Sequence, residues 1–231
     1  MIARCGSVFR KSWLLARLTS WPGLWLNVAM PNQIVKLIII LLCVFTLSAA
    51  AQDDAVKVPD DVKPFVEKGM IPIALETGDL NADGRKDFVL VLSEPVAEDA
   101  QYEEGAGARS VLVLIREAGG TLSLAARNDA VVYCKVCGGV FGDPFAGVSI
   151  RGAQFTISNY GGSNDRWAYD YTFGYSRRDR TWQLVRVVDT SFHTLDPKRT
   201  ERRHVYTPPK SFGLINFADF DPDNFMGKGK R

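Results

Sequence analysis

Histidine is almost missing from this chain: His193 and His204 are the two in 231 residues. Cysteine is scarce as well, and of the four residues Cys5 and Cys43 fall in the N-terminal segment, leaving Cys134 and Cys137. Two cysteines and two distant, irregularly spaced histidines do not compose a zinc signature. No serine sits in a nucleophile-elbow context with a linked histidine, so hydrolase chemistry finds no support. The apolar run Leu37 to Leu47 holds 11 residues, short of the roughly 18 to 20 that a membrane helix takes. Helical periodicity is nearly absent, which turns attention to strands. A strong charge of either sign is missing too, the formal net being +2.

The N-terminal 51 residues explain part of that charge. From Met30 the chain reads as a secretory signal peptide over 30–51: Lys36 in a positive start, the Leu37–Leu47 apolar core, and Ala49 and Ala51 at the small positions before a cleavage site. Cleavage before Gln52 and a periplasmic or extracellular location follow, with no stable membrane span in the mature chain. Residues 1–29 read as an upstream mis-start ahead of Met30. The segment 1–51 carries five bases and no acid, so removing it leaves 23 bases against 26 acids, a net of −3. The remaining basic clusters, at 177–180 and 198–203, each contain an acid. A nucleic-acid partner needs a coherent basic face, and none is legible here.

What the chain does have is a succession of short apolar runs punctuated by turn residues. Residues 52–64 are polar with two prolines, the composition of a flexible lead-in. The rest, 65–231, reads as a single β-rich domain. Strands are expected at 71–75 and 87–93, then at 109–115 and 121–125 around Glu117–Gly120. Further hairpins join 148–150 to 154–158 and 167–173 to 181–188. Trp167, Tyr169, Tyr171 and Phe173 alternate with smaller or polar residues and predict one aromatic, buried face. About eight strands in consecutive hairpins predict a mostly β fold, an antiparallel sheet or sandwich. They are too few for a closed propeller, which needs at least four four-stranded blades.

One loop carries chemistry of its own. Asp79, Asn81, Asp83 and Asp87 offer side-chain oxygens, Arg85 offers its carbonyl, and Gly84 stands at the sixth position, ahead of the apolar run 88–92. Calcium takes six to eight oxygens, and a glycine at the sixth position permits the turn. An EF-hand would place glutamate at position 12 and a helix behind; here Leu90 stands there, in a strand. Over residues 75–93 the pattern resembles the calcium loops of integrin-type FG-GAP and VCBS repeats, which join two strands of a propeller blade. The resemblance implies one structural Ca2+ and one blade-like unit. Too few strands for a propeller means that the family's adhesion roles do not carry over.

Three further groups remain. Cys134 and Cys137 read as a short disulfide pinning the glycine-rich segment behind them; the sharper reading is a redox-active pair. Tyr160 and Trp167 flank a polar Gly-Gly loop and could hold a sugar. Asp219, Asp221 and Asp223 alternate as a poor copy of the first loop, either a second weak calcium site or an acidic tail docked by its phenylalanines. Together these predict an exported, calcium-stabilised, non-enzymatic binding or envelope-associated module, with a protein or a glycan as its unknown partner.

Overall fold

The computed structural model of the chain describes residues 55–97 and 105–226; the expected signal peptide and residues 1–29 lie outside these. Among the described residues nine strands form two antiparallel meanders. The first sheet runs β1 (Ile71–Gly78), β2 (Asp87–Ser93), β3 (Arg109–Arg116), β4 (Leu122–Asn128), neighbours in chain order. The second runs β5 (Phe145–Ile150), β6 (Gln154–Gly162), β7 (Asp165–Ser176), β8 (Thr181–His193), β9 (Arg202–Tyr206), again in order. The fold is mostly β, as the sequence predicts, and neither sheet closes into a barrel or propeller. The hairpins expected from the sequence all form.

Period-two alternation divides the central strands between two cores. Val89, Val91, Val111 and Val113 face Phe155, Ile157, Tyr171 and Phe173 of the second sheet in one shared cluster. The intervening Phe88, Leu90, Leu92, Leu112 and Leu114 point the other way into a smaller cluster. Val62, fully buried, and the partly buried Val58, Phe65 and Val66 cover that outer side. This is why β2 is buried at every position and reads as an unbroken apolar run rather than an alternating one. It also shortens the expected lead-in of 52–64: its described end packs on the sheet, and Asp61 pairs with Arg116 at 2.7 Å. Apolar residues at 58 and 62 gain more by covering β2 and β3 than chain entropy returns.

The ninth strand falls where the sequence suggested only solvated loop charges. β9 pairs antiparallel with β8 from Val187↔Tyr206 to Ser191↔Arg202. Its residues 202–205 are exposed, so it has no buried face to produce alternation. Charges on an edge strand deter further pairing.

Beyond β9 the chain folds back over the open side of the core. Leu184 donates its N–H to Ile215 O, and Phe217, Phe220 and Phe225 bury against Phe155, Tyr171 and Phe173. Asn128, at the end of β4 and 4% exposed, ties this segment down. Its Nδ2 donates to Phe217 O at 2.6 Å and Phe220 O at 2.7 Å, while its Oδ1 accepts from Ala130 N and Val131 N. All four bonding capacities of the amide are used. Removing it strands two carbonyls and two N–H groups in the interior, each at about 1–3 kcal/mol if water cannot reach it. Asn128→Ala is expected to lower unfolding free energy by about 3 kcal/mol in urea titration. Asn128→Asp, which sets a charge against two carbonyls, should not restore it.

Candidate functional site

The 79–87 loop joins β1 to β2 and is wound on its own backbone. Asp79 Oδ1 accepts from Asp83 N at 3.0 Å and Oδ2 from Gly84 N at 2.8 Å. Asn81 Oδ1 also receives Asp83 N, and Asp83 Oδ1 receives Arg85 N. Gly84 adopts φ +84°, a conformation that β-carbon sterics disfavour, so glycine belongs at this turn. The slight burial of Asp79 works upward on its carboxyl, but the N–H groups of Gly84 and Asp83 hold it below the usual range. Arg85 sends its guanidinium to Asp83 Oδ2 at 2.5 Å and to Arg116 O at 2.7 Å.

Asp87 differs from the others in being fully buried. Its Oδ2 accepts from Leu80 N at 2.8 Å and its Oδ1 from Arg116 N at 2.9 Å. The carboxylate thus bridges the loop to the end of β3. Burial pushes its carboxyl above the usual range against those two bonds, and the Asp83 and Asp79 charges add to the push. From the other side Trp182 Nε1 donates to Leu80 O at 3.0 Å, anchoring the loop to β8. The donor set is all oxygen and its carboxylates repel one another, which suits a hard dication. Both Asp87 oxygens keep a second lone pair beyond their N–H bonds, whereas Asp83 Oδ2 already accepts from Asn81 Nδ2 at 2.7 Å and from the Arg85 guanidinium. Among the described residues no three acidic, histidine or cysteine side chains converge into a group that could hold a metal. The expected ligands therefore share a loop rather than a preformed cage.

The second feature surrounds the cysteine pair. The sulfurs of Cys134 and Cys137 stand 2.02 Å apart, at bonding distance. A three-residue helical turn, Gly139–Phe141, follows. Gly138 and Gly142 close this turn, Gly138 N donating to Gly142 O, and Gly162 N donates to Gly138 O from β6. Behind them Arg109, its side chain 1% exposed, forks onto Asp143 at 2.7 and 2.5 Å and donates to Tyr133 O. Asp143 also accepts from Phe145 N. The segment held this way presents Val140 at 85% and Phe141 at 51% exposure. Phe141 lies edge-on to Tyr160 at 5.1 Å, with the Arg166 guanidinium 4.0 Å above its ring.

Tyr160 and Trp167, neighbours in the sequence-based sugar reading, are not brought together. The register pairs Gly161 with Trp167 and Tyr160 with Ala168, so the two rings lie on opposite faces of the sheet. Trp167 is half-buried on the inner face, stacked on Tyr169 at 5.5 Å and edge-on to Tyr133. Its ring crosses Gly161 so closely that a Cβ there would sit 2.5 Å from Cζ2. The predicted aromatic ladder is present but graded: Phe173 and Tyr171 are buried, whereas Tyr169 and Trp167 reach the surface. Burial raises the hydroxyl pKa of Tyr171 and Tyr169.

Of the three C-terminal aspartates, Asp221 serves the backbone. Asp221 precedes Pro222, the first residue of a short helix, and its carboxylate accepts from Asp223 N and Asn224 Nδ2; aspartate before proline is a helix-start pattern. Asp219 receives Asn216 Nδ2, and the phenylalanines dock as the tail reading expected. Beside them Tyr206, Phe212, Ile215 and Phe225 line a half-open cavity of about 460 Å3, which the sequence did not announce because its walls come from separate segments. No family model matches the chain, and neither does any curated protein or solved structure.

Asp143→Ala leaves the buried Arg109 without its fork. The expected cost is about 3 kcal/mol, at the low end for a broken buried pair because water already reaches Asp143. Chymotrypsin should then cut after Phe141 in the variant, at protease levels where the parent chain resists.

Proposed function

We propose that this chain is an exported, non-enzymatic binding module whose β-domain carries one structural calcium ion. The observation that carries the reading is the 134–145 segment. A covalent link, a buried arginine fork and a close glycine contact with β6 all act to hold two apolar side chains in water. Apolar residues fixed on a rigid surface loop are the usual basis of a contact site. A disulfide there belongs to an oxidising compartment, the periplasm or the extracellular space. That agrees with the signal peptide expected over 30–51. No helix among the described residues is long and apolar enough to cross a membrane.

Calcium would be held by Asp79, Asn81, Asp83, Asp87 and the Arg85 carbonyl, where it neutralises mutually repelling carboxylates. The chain's own residues then do the mechanical work. Asp87 and Trp182 transmit the loop's position to β3 and β8, so a stiffer loop makes a stiffer junction between the sheets.

Thermal unfolding of the exported chain tests the ion. A site with a dissociation constant of about 10⁻⁵ M at about 1 mM calcium adds about 2.7 kcal/mol. The midpoint should rise by several degrees over a chelated sample and fail to rise in Asp83→Ala. Equal midpoints with and without chelator would remove calcium from the proposal.

Export and contact are tested together in cells. The mature chain should begin at Gln52 by N-terminal sequencing. A photo-crosslinking residue at position 141 should give a discrete adduct, while the same residue at exposed Leu124 gives none. A cytoplasmic product that retains Met30, or no adduct at position 141, would overturn the reading.

A further inference from the structure

Alternate residues of the second sheet face away from the shared core, and the register sorts them into rows. Ser149, Thr156, Thr172 and Arg186 are successive cross-strand neighbours. Two residues along come Ser158, Asp170, Val188 and Val205, and then Tyr160, Ala168, Thr190 and Arg203. The last pair is Arg166 with Phe192. At the first row the face dips into a hollow of about 620 Å3, which Arg151 and Arg186 line together with the hydroxyls of those rows. The hydroxyls pair across strands: Thr156 Oγ1 and Thr172 Oγ1 are 2.9 Å apart, and Ser158 Oγ donates to Asp170 Oδ1 at 2.6 Å.

Four arginines thus share one face: Arg151, Arg166, Arg186 and Arg203. None enters an ion pair among the described residues, whose pairs lie elsewhere. Asp170 is the single carboxylate of the rows, and Ser158 already engages it. From the Thr172 row to Arg166 is six residues of β7, about 20 Å at roughly 3.4 Å per residue. The arginines are therefore spread along an elongated track rather than gathered at a point. At its far end Tyr160 and Phe141 add aromatic surface beside Arg166.

We propose that this face binds an acidic polysaccharide, a polymer of carboxylate-bearing sugars laid along the strands. The inference deepens the binding-module reading and rests on it for the premise that the domain binds rather than catalyses. Guanidinium groups offer planar forks that match carboxylates two bonds at a time. Serine and threonine hydroxyls both donate and accept, which suits ring hydroxyls that do the same. An aromatic ring at the end of the track can cover the apolar face of one sugar. Single-stranded nucleic acid fits less well. It needs aromatic platforms at successive positions, whereas the middle of this face is Ser158, Asp170 and Val188. A protein interface would centre on a charge-depleted patch, and here the Asp170 carboxylate stands at the centre with arginines toward both ends.

Titration calorimetry on the exported chain tests this with three probes: oligogalacturonate, the same oligomer as its neutral methyl ester, and a single-stranded oligonucleotide. The acid form is expected to bind, and to weaken steeply between roughly 50 and 200 mM salt as arginine contacts are screened. Arg186→Gln combined with Arg203→Gln should weaken it by about tenfold or more, with the unfolding midpoint unchanged because both side chains are exposed. Equal affinity for the ester, or no loss in the double variant, would refute the arginine track. Tighter binding of the oligonucleotide would reassign the face to nucleic acid. No binding of any probe by a chain that still shows its calcium shift and its position-141 adduct would sink this proposal alone, leaving the broader module reading standing.

Discussion

Two sheets that each grow by adding the next strand in the chain have no strand-to-strand hydrogen bonds between them, so something other than the ladder has to fix how they meet. Buried polar side chains supply it. Asn128 carries β4 onto the C-terminal segment that closes the shared core. Asn159 on β6 reaches the connection that follows β4, donating to Val131 O and accepting from Tyr133 N. Trp182 on β8 holds Leu80 O in the first hairpin. Apolar burial provides most of the free energy but has no direction. These bonds specify the arrangement, because each leaves unsatisfied groups in the interior if the sheets slip.

The same device recurs at the loops. Asp87 satisfies two backbone N–H groups that the turn of β1 into β2 would otherwise leave buried and unpaired. Arg109 does the converse for the cysteine segment, bringing donors to Asp143 and to Tyr133 O. Its Nε has no partner among the described residues, a residual cost tolerated where the fork itself is short and doubled. Both candidate sites therefore rest on an ionisable side chain buried beneath them, and the surface features inherit their rigidity from below.

Much of this was legible in the residues alone. The strands declared themselves through alternation or, for β2, through an uninterrupted apolar run, and turn residues marked each hairpin. The spacing of the cysteines foretold a short link; that of Asp79 to Asp87 was legible as a calcium pattern, while the bonds from the loop's own N–H groups to Asp79 and Asp87 were not. Where legibility failed, the missing information was long-range. β9 lacks an apolar face because it is an edge, so its pairing with β8 left no periodic trace. Val62 belongs to the core only because β2 and β3 are buried on both sides. Tyr160 and Trp167 looked adjacent by sequence, yet a hairpin register that sets Trp167 against Gly161 sends them to opposite faces. Arg151, Arg166, Arg186 and Arg203 form no cluster in the chain, and only the ladder brings them into line.

The placement of the C-terminal phenylalanines has a bearing on the order of events in synthesis. Strand pairing within each meander is local, so both sheets can assemble from neighbouring segments as the chain emerges. Phe217, Phe220 and Phe225 are the last aromatic side chains to arrive, and the interior they fill lies between elements formed long before. Until they dock, the aromatic ladder of β7 has one side open to water, and Asn128 has two donors without acceptors. A chain threaded through a membrane from its N-terminus would thus complete its core only after nearly its whole length had crossed. Under the proposed export, the closing segment would be a latch fastened only in the far compartment.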